Sequence, residues 1–67
     1  MPSIPLTTVL HVIRTGSTVE SRITAASTDD AITTAINGER AGIFRALKIS
    51  GPNPLNENEL RERIEED

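Results

Sequence analysis

Between Thr7 and Ala26 apolar and polar positions alternate with a period of two, the repeat of a strand that lays one face on a core. The alternation breaks at Gly16-Ser17. Gly followed by Ser between two β-branched runs predicts a two-residue type II′ turn, because Gly accepts positive φ at the first turn position. That turn sets the register: Arg14 faces Val19, Val12 faces Ser21, Leu10 faces Ile23 and Thr8 faces Ala25. On the other side Ile13 faces Glu20, His11 faces Arg22 and Val9 faces Thr24. One face of the hairpin therefore gathers Leu10, Val12, Val19, Ile23 and Ala25 as a candidate core.

After Ala26 the period lengthens. Ala31, Ile32, Ala35 and Ile36 recur at helical spacing, and Ser27-Thr28-Asp29-Asp30 supplies an N-cap with Asp at the capping-box position. The two Asp also suit the positive end of the helix. Asn37-Gly38 predicts its end, with Gly38 in the left-handed position, for a helix of about ten residues.

Residues 42–49 fit either a strand or a continuation of that helix. The helix would carry Gly38 and Gly42 inside it, each at a cost of ~1 kcal/mol relative to Ala. A strand is therefore expected. Strict alternation puts Ile43, Leu47 and Ile49 on one side and Phe44, Ala46 and Lys48 on the other. Gly51-Pro52 and Asn53-Pro54 mark a loop. A last helix follows, with Asn56 as its cap, Glu59 completing the box, and Leu55 and Leu60 spaced as a hydrophobic staple. Glu57–Arg61 and Glu59–Arg63 are favourable i,i+4 pairs along it.

The order strand, strand, helix, strand, helix predicts a small α+β domain, ββαβα. Its three-stranded, mainly antiparallel sheet carries one helix on one face. A right-handed crossover from the second strand lays the third beside the first, for a sheet order 2-1-3. Residues 1–56 form the ββαβ body and 57–67 an acidic C-terminal helix of the same domain.

Composition narrows the picture. Sixty-seven residues make one domain near the lower limit for folding alone, where a disulfide, a metal or a partner subunit commonly adds stability. The chain has no Cys, and its one His excludes a multi-His site. Phe44 is the only aromatic residue. A core built from aliphatic side chains points to self-association or a protein partner as the added stability. The opening Met1-Pro2-Ser3-Ile4-Pro5 lacks a basic segment, and no apolar run approaches ~18 residues, so a cytoplasmic protein without a membrane span is expected.

The formal charge of −3 is unevenly spread: residues 1–50 carry +1 and residues 51–67 carry −4. An acidic end of this kind solvates a small protein and also suits a basic partner.

Catalysis has little to work with. A hydroxyl nucleophile needs a base within reach and a third group orienting that base. His11 has Arg22 as its predicted neighbour, which cannot orient it as a carboxylate does. Asp29 and Asp30 are accounted for by capping, and no Gly-rich phosphate loop is present. No catalytic, cofactor-binding or metal-binding residue is assigned, and a non-enzymatic protein is expected.

The hairpin face away from the core places Val9, His11, Ile13 and Arg22 together, and strict alternation adds Phe44 and Lys48. These six residues are the candidate contact surface for a second copy of the chain or a larger protein. The alternative is a small nucleic-acid-binding regulator, with Phe44 as a stacking ring beside His11, Arg22 and Lys48. A second route to nucleic acid reads Thr18–Ala26 and Ala31–Ile36 as a helix-turn-helix. Ala31 to Gly38 followed by Ile43-Phe44 is loosely similar to the recognition helix and following strand of Cro-type phage repressors, which implies DNA binding. Arg22 stands where that motif has a small buried residue, and the turn Gly is missing.

Overall fold

The hairpin forms in the predicted register. In the computed structural model, which describes residues 7–66, β1 (Thr8–Arg14) pairs antiparallel with β2 (Glu20–Ala25) from Ile13↔Glu20 to Thr8↔Ala25. Residues 1–6, read above for a leader segment, and Asp67 lie outside the described residues. The turn differs from the expected type II′. Ser17 N–H donates to the Arg14 carbonyl at 2.9 Å, and Gly16 takes its φ of +83° at the third turn position. Pairing consequently stops at Ile13↔Glu20, and Val19 leaves the ladder 69% exposed instead of joining the core face.

Residues 44–50 form a strand, not helix. β3 (Phe44–Ser50) lies antiparallel on the other side of β1, giving the order β2-β1-β3 with β1 central. Thr18–Ala26 is likewise not helical, which removes the helix-turn-helix reading.

A bulge corrects the predicted faces of β3. His11 pairs with Lys48 but Val12 pairs with Ala46, so Leu47 is an extra residue against the β1 ladder. An inserted residue reverses the side-chain phase on either side of it. Phe44 and Ala46 therefore share the core face with Ile49, whereas strict alternation had opposed them. Phe44 is 8% exposed and packs with Leu10, Val12, Ala31 and Ala35. It does not belong to the outer face with His11 and Lys48.

The first helix, α1, runs Thr28–Arg40, longer than expected. Ser27 Oγ accepts from Asp30 N–H at 3.1 Å, as the capping pattern predicted. Gly38 does not end it. The helix closes on Ala41, with Gly42 at φ +71°, its N–H donating to Glu39 O and Ile43 N–H to Gly38 O. Those two bonds are the Schellman arrangement, and Gly42 supplies its left-handed residue.

The second helix, α2 (Glu57–Glu66), is capped by Asn56, whose Oδ1 accepts from Glu59 N–H at 2.9 Å. Leu60 is fully buried in the core cluster, and Ile64 and Leu55 pack against it. Both helices thus share the core face of the sheet, where the sequence predicted one. The expected Glu57–Arg61 pair is redirected across elements: Arg61 bonds Glu39 at 2.6 Å and Glu57 pairs with Arg45. Glu39 also accepts from Ala46 N–H, beside the bulge, at 2.9 Å. One carboxylate therefore ties α1 to β3 and to α2.

Candidate functional site

With both helices on one side, the other face of the sheet carries the surface residues of interest. Alternation in β1 sends Val9, His11 and Ile13 there, and the two ladders set Arg22 and Lys48 on either side of His11. Five of the six candidate residues are therefore brought together. Phe44 is the exception, because the bulge turns it into the core.

His11 is only 7% exposed, and two residues not singled out from the sequence bond its two ring nitrogens. Its Nδ1 lies 3.1 Å from Glu20 Oε2 and its Nε2 lies 2.9 Å from Ser50 Oγ. Glu20 sits opposite Ile13 and Ser50 opposite Val9, so both reach His11 diagonally across the ladder. An ionised carboxylate only accepts, so Nδ1–H donates to Glu20; on the neutral ring Nε2 then accepts from the Ser50 hydroxyl. A buried imidazole with both nitrogens bonded meets the usual requirement for buried polar groups. Glu20 was legible as an outer-face residue, but its diagonal reach was not. Ser50 needed the β3 register, which the bulge concealed.

The hydrogen bond from His11 holds the Glu20 carboxyl below the usual carboxylate range. Desolvation opposes that shift, and the positive charges of Lys48 and Arg22 add smaller contributions in the same direction as the hydrogen bond.

The sequence Ser50–His11–Glu20 is the order of groups in hydroxyl-nucleophile hydrolases, which also require preorganised donors for the developing oxyanion. Ser50 borders an open cleft of about 360 Å³ that Lys48, Leu55 and Glu59 also line. The cleft lies along β3, where Ile49 and Leu55 exchange backbone hydrogen bonds of 2.8 and 3.0 Å. No group of three His, Asp or Glu side chains suited to a metal ion occurs among the described residues. No helix among them is long and apolar enough to cross a membrane.

The outer face thus combines a half-buried aliphatic pair, Val9 and Ile13, with a polar centre and two flanking cations, Arg22 and Lys48. Compared with family models, curated proteins and solved structures, the chain matches none.

Proposed function

We propose that this chain is a cytoplasmic, non-enzymatic interaction module that associates with another protein chain, in the first instance a second copy of itself. The outer sheet face of Val9, His11, Ile13, Arg22 and Lys48 is the contact surface. The observation that carries the reading is the one-sided cover of the sheet. Both helices pack on the Leu10/Val12 side, and Val9 and Ile13 on the central strand receive neither. Apolar side chains framed by charges on an uncovered face are the usual composition of a protein contact. A two-fold homodimer is the commonest assembly of that kind.

The test is the mass of the purified chain by light scattering across a concentration series. A Val9→Ser/Ile13→Ser double variant should lower that mass while the far-UV circular dichroism stays unchanged. The nucleic-acid alternative keeps Arg22 and Lys48 but loses its stacking ring, since Phe44 lies in the core. A chain that stays monomeric, yet retains short single strands at about 0.15 M salt, would replace the interaction reading with that alternative.

A further inference from the structure

We propose that a second copy of the chain docks on the free edge of β2, in a register centred on Ser21, to make one six-stranded antiparallel sheet. This rests on the self-association reading and adds to the outer-face contact a second, separate one along the β2 edge. The two edges of the sheet are unlike. Along β3, Ile49 bonds Leu55 through both of its backbone groups, so the chain folds back over that edge. β2 is the other edge strand, and among the described residues nothing pairs with its outer side. An uncovered edge is a template for another strand.

Charge selects the partner and the register. A two-fold axis through a strand edge pairs residues symmetrically about one central residue. Centring it on Glu20 or on Arg22 sets like charges face to face, which is unfavourable. Centring it on Ile23 gives neither charge an opposite partner. Centring it on Ser21 sets Glu20 opposite Arg22 of the second copy, twice. Arg22 makes no salt bridge among the described residues, and Glu20 uses only Oε2 for His11.

The same register uses the misfit in the hairpin. It places Val19, 69% exposed, opposite the half-buried Ile23 of the second copy. Ile23 already packs on the core cluster, so the contact would extend that core from one copy into the next. The two outer faces would then join into a single, wider surface.

Cysteine cross-linking tests the register directly, because the chain has no Cys of its own. In a Ser21→Cys variant the two thiols face each other across the axis, at a Cα separation of about 4.5–5.5 Å that a disulfide spans. In a Thr24→Cys control the two sites lie about 20 Å apart along the strands. The expected result is a covalent dimer for Ser21→Cys in a glutathione buffer and none for Thr24→Cys. Arg22→Glu should weaken the dimer at least ~10-fold, about 1.4 kcal/mol, with unchanged circular dichroism. A dimer that Val9→Ser/Ile13→Ser dissociates, but that does not cross-link in the Ser21→Cys variant, would overturn the edge proposal and leave the outer-face reading standing. A chain monomeric at all concentrations would overturn both.

Discussion

The Phe44 ring lies directly against the α-carbon of Gly38, in the space a side-chain methyl would need. Gly38 sits inside α1 and not at its end, so its role is this close approach. Gly inside a helix costs ~1 kcal/mol relative to Ala, yet here Ala would displace the ring on which the core closes. Gly38→Ala is therefore expected to destabilise by about 1–3 kcal/mol, the range of an overpacked core. Urea unfolding of Gly38→Ala, Phe44→Leu and the double variant checks it. A smaller ring-less residue should make the Gly38→Ala step cheaper, so the two changes should not add. Additive losses would show that the contact is not the reason for Gly38.

Leu60 and Glu39 make α2 part of the fold and not an appendage. Leu60 is fully buried, and Leu→Ala at such a site costs about 2–5 kcal/mol. Glu39 accepts from both Ala46 N–H and Arg61, and bonds to a charged acceptor contribute about 1.5–3 kcal/mol each. A chain ending at Asn56 should consequently lose its cooperative urea transition, and Glu39→Ala should lower the midpoint without changing the outer face. A truncated chain that still unfolds cooperatively would make α2 peripheral.

What the sequence disclosed and what it concealed divide along a physical line. The β1–β2 register and both N-caps depend on residues near each other in the chain, and Leu10, Ile23, Ser27 and Asn56 announced them; the central place of β1 followed from the handedness of the crossover. The face of Phe44 depends on one extra residue, Leu47, whose insertion shows only when β3 is laid against β1. Gly38 and Gly42 look alike in sequence; the ring of Phe44 explains one and the Schellman bonds explain the other. The Glu20–His11–Ser50 chain joins three strands, and no local pattern encodes it.

Glu20 gives the outer face a dependence on acid. Its carboxyl is held below the ordinary value by the His11 hydrogen bond. A carboxyl depressed in the folded state contributes stability that is fully present above its unfolded value, and that is lost as pH falls through its folded value. Wild type should therefore exceed Glu20→Gln in urea midpoint at neutral pH, and the difference should close on acidification below the usual carboxylate range. A difference that widens towards acid would mean the carboxylate is not His11's partner.

The bond between Ser50 and His11 decides whether the outer face is a lock or a reaction centre. As a lock, it satisfies a buried nitrogen, and Ser50→Ala leaves His11 Nε2 without a partner at a cost of about 1–3 kcal/mol. Ser50→Thr, which keeps the hydroxyl, should recover most of that loss in urea unfolding. As a nucleophile, Ser50 would instead pass its proton to Nε2 while attacking an ester carbonyl; the ester C–O bond would break, the alcohol or phenol would leave, and the chain would carry the acyl group on Oγ. The lock predicts that incubation with p-nitrophenyl acetate leaves no acyl mass on Ser50, and that hydrolysis by wild type and Ser50→Ala is equal. Any residual rate then comes from water and from nucleophiles other than Ser50. Acylation at Ser50 that disappears in His11→Gln would make the face catalytic and remove the non-enzymatic reading.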